Sequence, residues 1–246
     1  MIHVCSGDMG HQAWCRAGLP GTARIWRDSP AVGPWSPDPV RRAELRGRFW
    51  GMEDAALAAR EEAETLRLLA QDGQGVLWFS QEPWDQMAML WVVASLARVG
   101  PGLVLQRAPL REGGDGVPPA ILEAAFQGRL PIPPAEREAA ARLWERFEAG
   151  DWTELRTWAG SGPILGALPD LRPALARVLE DRPPHRPGRS ERQVQELMAA
   201  GTRELGPLMA ALAALEMPYG IAWYGDLYVR KLMDGFPDLA KRTSAL

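Results

Sequence analysis

Several residue types are scarce in this sequence of 246 residues. Cysteine occurs only at Cys5 and Cys15, without a CxxC spacing. So few cysteines in so long a chain argue against a disulfide framework and predict a reducing compartment. The longest apolar stretch is too short to span a bilayer, and the N-terminus lacks the basic and apolar regions of a signal peptide. We therefore expect a soluble, cytoplasmic protein that does not enter membranes.

Asparagine is absent, and lysine occurs only at Lys231 and Lys241, so arginine supplies nearly all of the positive charge. This usage indicates a GC-rich genome, and the missing asparagine is also typical of a heat-adapted organism. The formal net charge is −3. Such a balance gives the molecule no overall attraction to nucleic acid or to an anionic membrane surface.

The first half of the chain alternates short apolar runs with amphipathic segments that end at glycine. The strands are predicted at 2–6, 23–29, 75–80 and 102–108, and the helices at 11–18, 52–71 and 83–100. Strands joined by helices form parallel crossover units. We therefore predict a three-layer α/β domain over residues 1–128, with a Rossmann-like, mostly parallel sheet.

Helical patterns dominate the second half. A helical connector is predicted over 129–181, and a helical, winged-helix-like module over 182–246. A Pro/Arg-rich linker at 180–190 separates them, and Ser190 with Gln193 matches a capping box at the start of the next helix. The helices expected in this half are 134–149, 151–159, about 168–180, 190–200, 204–215 and 226–234.

Several short motifs carry a family resemblance. They are Gly7-Asp8, Trp26-Arg27-Asp28 followed by Gly33-Pro34, Trp78-Phe79, and Asp85-Gln86. In this order they resemble the bacterial family called domain of unknown function 1835. Later segments resemble the helical region that commonly follows that domain, namely LWERF (143–147), RSERQVQELMAAG (189–201) and GDLYVRKL (225–232).

The resemblance covers most of the chain and implies the fold more than the function. The family often has a small residue followed by His-Asp after the third strand, whereas this chain has Ser80-Gln81-Glu82. A role that depends on a histidine there does not carry over. The family provides no established activity to transfer.

Polar side chains follow the predicted strands, where parallel strands bring their carboxyl ends to one edge of the sheet. The residues expected to bind a ligand there are Ser6, Gly7, Asp8, His11, Arg27, Asp28, Gln81 and Asp85. Arg107 follows the fourth strand at the same edge. A small, nucleotide-related ligand is the first hypothesis, and an enzyme at this site would be a metal-assisted hydrolase or transferase. No pattern identifies a cofactor or a metal site.

Each candidate also has a structural interpretation. Asp8 can cap the helix predicted at 11–18, Asp28 can bond its own backbone in an Asp-Ser-Pro turn, and Asp85 can interact with a helix dipole. His11 has no second histidine nearby, which is typical of a solvated or capping side chain. The motifs GxGxxG and GxxxxGK[ST] are absent, and Asp8 would repel a phosphate at that helix start.

The second hypothesis is a regulatory or adaptor protein. Its C-terminal winged-helix-like module would contact DNA or a protein partner through Tyr228, Arg230 and Lys231. The weak excess of basic residues in 182–246 makes this a poor DNA-binding signature. A structural role, or a role in forming a homodimer, explains this module equally well.

Overall fold

The computed structural model describes residues 1–52, 55–97, 102–111, 116–184, 187–219 and 222–235. Its strands are β1 (Ile2–Ser6), β2 (Thr22–Trp26), β3 (Gln74–Trp78), β4 (Val104–Arg107) and β5 (Leu130–Pro131). They form one sheet in the order β2-β1-β3-β4-β5. The first four strands are parallel, as predicted, and β5 pairs with β4 in the antiparallel direction. The two residues of β5 are too few to show a strand period in the sequence.

The described residues contain eleven helices, which connect the strands and form the second half of the chain. They are α1 (Gly7–Ala17), α2 (Pro39–Trp50), α3 (Ala55–Asp72), α4 (Pro83–Ala97), α5 (Pro119–Gln127), α6 (Pro134–Glu148), α7 (Trp152–Ser161), α8 (Leu171–Leu179), α9 (Arg189–Ala199), α10 (Leu205–Leu215) and α11 (Gly225–Met233). The predicted end of α4 at Gly100 lies outside the described residues.

Helix α1 begins directly at the end of β1, four residues before its predicted start. Gly7 has a φ of 63° and turns the chain from strand to helix without an intervening loop. At the other end, Gly18 has a φ of 62° and closes the helix as predicted. The short connection places the first turn of α1 at the carboxyl edge of the sheet.

Two helices were not predicted from the sequence. Asp38 caps α2, with its carboxylate accepting a hydrogen bond from the Arg41 backbone N–H at 2.7 Å, and Pro39 occupies the first turn. Helix α5 likewise begins at a proline, Pro119. Proline in the first turn is a start signal for a helix. Proline is also common in turns, and these segments contain several prolines, so the sequence alone did not distinguish the helix starts from turns.

The side chains of the sheet alternate between two apolar clusters. Cys5, Val76 and Trp78 pack against α1 and α5, whereas Val4 and Leu77 belong to the core shared with α3 and α4. Successive strand residues point to opposite faces, so the two clusters lie on the two sides of the sheet. The molecule therefore has three layers, with the sheet in the middle and helices on both of its sides.

The helical half continues the larger core. Helix α4 packs against α6 and α8, and α9 packs against α10 and α11. Buried residues of α8, α9 and α11 belong to the same apolar cluster as the sheet. In the described part of 182–246 there are three helices and no strand, so the winged-helix prediction is not confirmed. No helix in the described ranges is both long and apolar enough to cross a bilayer.

The predicted capping box of α9 is wrong in its residues. The helix begins after Gly188, whose backbone N–H donates to the Glu191 carboxylate at 2.7 Å. Ser190 lies in the first turn, is buried, and donates its hydroxyl proton to Asp181 at 2.6 Å.

Candidate functional site

A cavity of about 560 Å³ opens at the carboxyl ends of β1, β2 and β3. In a sheet of this strand order, the connections after β1 and β3 leave toward opposite faces, and the gap between them is where ligands bind. The loop residues that line it are Ser6, Gly7, Asp8, Met9, Arg27, Asp28, Glu82, Trp84 and Asp85. Residues of α2 and α3 and the start of α11 complete the walls. We call it the switch-point cavity.

The structure brings six of the eight predicted site residues together in the lining of this cavity, namely Ser6, Gly7, Asp8, Arg27, Asp28 and Asp85. His11 and Gln81 lie outside it. His11 is one turn before Cys15 on α1, with its ring nitrogens 3.8 and 3.9 Å from the sulfur. Arg107 is buried away from the cavity and donates to Asp170 at 2.9 Å.

Asp8 is not the N-cap of α1, because the helix begins before it. It lies in the first turn, and Arg27 donates to both of its oxygens, at 2.8 and 3.2 Å. The hydrogen bond with Arg27 lowers the pKa of Asp8. Arg27 also donates to Glu61 at 2.6 Å. These side chains are well exposed, so the pairing contributes little to stability, at most about 1 kcal/mol.

Asp28 forms a buried ion pair with Arg46 of α2. The guanidinium donates to both carboxylate oxygens, and Nε lies 3.0 Å from Oδ2. Asp28 also accepts a hydrogen bond from the backbone N–H of the next residue, Ser29. The turn interpretation predicts a bond to the backbone two residues further along. Asp28 is therefore held in place by α2.

Two arginines fix the loop that follows Asp28. Arg46 donates to the carbonyl oxygens of Ser29, Val32 and Pro34. Arg182, which follows α8, donates to the carbonyl oxygens of residues 30, 31 and 33. Because the loop has few regular backbone bonds, these side chains satisfy its buried carbonyls. These hydrogen bonds connect the loop that follows Asp28 to the helical half of the chain.

Asp85 lines the cavity and connects two strand ends. Its Oδ1 accepts from the Ser6 hydroxyl at 2.5 Å, and its Oδ2 accepts from the Ser80 backbone N–H at 2.7 Å. It does occupy the first turn of α4, as predicted, but it is buried rather than solvated. Burial raises the pKa of this carboxyl.

Glu62 of α3 is a buried carboxyl group in the cavity lining, with one oxygen that is unpartnered among the described residues. The residue is 5% exposed, and the unpartnered oxygen is Oε1. Burial raises its pKa to about 8, with a further increase from the charge of Asp28; Arg42 and Arg46 act in the opposite direction. A buried carboxyl of this kind is held neutral near pH 7, and groups perturbed in this way are concentrated at functional sites.

Sequence reasoning missed Glu62, although its position gives a signal. The buried side of α3 carries Ala58, Glu62, Thr65 and Leu69, at the spacing of one helix face. A charged residue on an apolar helix face is unusual unless it is paired or functional. The adjacent Glu61 and the many other charges of this helix hide the signal.

Aromatic side chains form much of the remaining wall. Trp50 and Trp84 meet edge to face, with ring centroids 6.0 Å apart, and Trp223 and Tyr224 lie at the start of α11. Trp84 is only half-buried and lines the cavity. Trp78, by contrast, packs in the core.

The three residues proposed to contact nucleic acid lie on α11. Tyr228 packs beside Phe49, with centroids 6.1 Å apart, and the Lys231 ammonium lies 5.5 Å from the centroid of the same ring. Arg230 is exposed and lies 3.8 Å from Asp226. Two of the three thus face α2 rather than a common outer surface.

The strand order and the cavity define a class: a doubly wound α/β protein with a small-molecule-sized cavity at its switch point. Comparisons of the chain with protein-family models, with curated proteins and with solved structures find no match. The resemblance to domain of unknown function 1835 stays a prediction. In the described ranges, no three histidine, cysteine or carboxylate side chains are placed to share a metal ion.

Proposed function

We propose that this protein binds a small molecule of nucleotide-like size and shape in the switch-point cavity, in the manner of Rossmann-like sheets. The observation that carries the proposal is a cavity of about 560 Å³ that contains a buried carboxyl with an unpartnered oxygen, Glu62. Cavities of roughly 300–1,000 Å³ are typical of small-molecule sites. A buried polar atom without a partner costs free energy, and a ligand can supply the missing hydrogen bond.

The composition of the walls supports the same conclusion. Small-molecule sites are mostly apolar and aromatic, with a few polar groups that orient the ligand. Here Trp50, Trp84 and the alanines of α3 supply apolar surface, whereas Glu62 and Asp85 supply buried polar groups. Rigid support is present as well, because Arg46 and Arg182 hold the loop after β2.

A blocking substitution tests the proposal. Ala59 lines the cavity from α3, so Ala59→Leu fills part of it while preserving helix propensity and all charges. We expect nucleosides, nucleotides, sugar phosphates and divalent cations, screened by thermal shift, to include a compound that raises the Tm of the wild type. At a hundred times its Kd such a compound adds about 2.7 kcal/mol, a shift of roughly 5–10 °C.

Ala63→Leu is the matched control, because Ala63 is exposed on the same helix and does not line the cavity. The Tm shift is expected to survive in this control and to be lost in Ala59→Leu. A shift that persists unchanged in Ala59→Leu would mean that the compound binds elsewhere. The second hypothesis, a regulatory or adaptor protein whose C-terminal module contacts DNA or a protein partner, stays a prediction. Two of its three proposed contact residues, Tyr228 and Lys231, lie beside Phe49 of α2.

A further inference from the structure

The charges of the switch-point cavity argue against an anionic ligand. Six carboxylates and three arginines are found among its described lining residues. Two of the arginines are already ion-paired, Arg27 with Asp8 and Arg46 with Asp28. The third, Arg42, lies over the Trp35 and Trp91 rings, 4.9 and 4.8 Å from their centroids. A phosphate group would therefore meet more acidic than basic groups, with Arg42 as the one arginine of the described lining that has no carboxylate within ion-pair distance.

A cationic ligand is disfavoured beside Glu62. The charged groups that act most strongly on Glu62 are Asp28 after β2, and Arg42 and Arg46 on α2. Because Asp28 is already paired with Arg46, the surroundings of a neutral Glu62 leave one positive charge in excess, that of Arg42. Asp85, at the start of α4, is engaged by Ser6 and Ser80. An uncharged group that hydrogen-bonds to Glu62 meets neither repulsion.

Three large apolar side chains belong to the exposed part of the cavity lining. Met9, Met52 and Leu227 all line the cavity, yet they are 58%, 44% and 54% exposed. They come from three different parts of the chain: the first turn of α1, the segment after α2, and α11. The charged side chains of Asp8, Arg27 and Asp226 are exposed in the same lining. Exposed large apolar side chains that share one cavity are typical of a ligand-binding groove. Trp50 and Trp84 line the same cavity.

We infer that the ligand is an uncharged molecule with two different ends: a hydroxyl-bearing end that hydrogen-bonds to Glu62, and a flat apolar end held near Trp84 and the three exposed side chains Met9, Met52 and Leu227. A nucleoside without phosphate, or an aryl glycoside, has this chemistry. The inference rests on the proposed function and adds the chemical class of the ligand to it. Glu62 acts as the group that recognises the polar end.

Matched probe pairs test this inference. Adenosine and uridine are compared with their 5′-monophosphates, and p-nitrophenyl β-glucoside with p-nitrophenyl β-glucoside 6-phosphate, by thermal shift and then by calorimetric titration. We expect at least one uncharged probe to bind, and its phosphorylated counterpart to bind at least tenfold more weakly. For that probe, Glu62→Ala should weaken binding at least tenfold, because the partner of the hydroxyl is lost. Glu62→Gln keeps a hydrogen-bonding group of the same size and should retain most of the affinity.

The outcomes separate this inference from the proposed function. If a nucleotide or a sugar phosphate binds more tightly than its uncharged counterpart, and Ala59→Leu abolishes that binding, the cavity is a ligand site but its chemistry is not the one inferred. Equal affinity of the wild type and Glu62→Ala for an uncharged probe would overturn the role of Glu62. If none of these probes binds, the inferred class is wrong; only a blank from the wider screen as well would contradict the proposed function.

Discussion

At the scale of single residues, the titration of Glu62 has the clearest effect on how stability depends on pH. Its pKa in the folded protein is raised to about 8 from an ordinary value of 4.5. The folded state therefore retains a proton that the unfolded chain loses. The stability from the neutral carboxyl is fully present below pH 4.5 and declines as the pH rises toward 8.

We therefore expect Glu62→Gln to be more stable than the wild type at pH 8.5, by about 2–4 kcal/mol, and equally stable at pH 4. Urea unfolding at a series of pH values measures this difference. Glu64→Gln is the control on the same helix. Because Glu64 is exposed and Arg67 lowers its pKa, its titration falls below this window. A difference between Glu62→Gln and the wild type that did not grow from pH 4.5 to 8 would show that Glu62 titrates normally.

At the scale of elements, the loop after β2 depends on Gly33. This residue has a φ of 77°, and a Cβ added there would lie 2.6 Å from Cε1 of Phe49 and 2.9 Å from Nη1 of Arg46. Arg46 is the side chain that fixes Asp28 in the cavity wall. A side chain at position 33 would therefore disturb both the loop and the site.

Gly33→Ala is expected to destabilise the protein by about 2–4 kcal/mol, the sum of left-handed backbone strain and overpacking. Gly18→Ala separates the two causes. Gly18 has a similar φ of 62°, but open space surrounds its Cβ position, so only the strain of about 1 kcal/mol applies. Denaturant titration of both variants measures the difference. Equal losses would mean that the contact with Phe49 is relieved at no cost.

At the scale of the whole molecule, a buried ion network connects the last helices to the cavity. Arg177 of α8 donates to Glu216 at 2.6 and 2.8 Å and to Asp181 at 3.0 Å. Glu216, which is fully buried, also lies 3.3 Å from the indole nitrogen of Trp223. Trp223 lines the switch-point cavity. The position of that wall therefore depends on contacts that join α8, α10 and the segment before α11.

Arg177→Met should cost about 3–5 kcal/mol, because it removes the buried guanidinium that bonds to both Asp181 and Glu216. Of the cations among the described residues, Glu216 then keeps only Arg189, at the longer distance of 3.7 Å. Arg67→Met is the comparison, since Arg67 pairs with Glu64 on the exposed face of α3, and little change is expected there. Thermal unfolding of both variants provides the measurement. Similar, small losses would indicate that the network around Arg177 is open to water.

Much of the architecture could be predicted from local patterns. The four parallel strands were recognisable because short apolar runs ended at turn residues, and Gly18 ended α1 through its own backbone conformation. Strand direction alone predicted that the candidate site lies at the carboxyl edge of the sheet. Six of the eight candidate residues duly lie in the cavity lining. These properties depend on residues close together in the chain.

The partners of those residues were decided only by the tertiary structure. Asp8, Asp28 and Asp85 each had a local interpretation, but Arg27, Arg46 and Ser6 reach them from distant parts of the chain. The C-terminal helices likewise form one core with the sheet and provide a wall of the cavity. Burial, which raises the pKa of Glu62, arises when five separate stretches of the chain enclose one volume. The sequence by itself determined which edge of the sheet carries the polar side chains, and packing between remote segments determined which of them enclose a cavity and which remain without a partner.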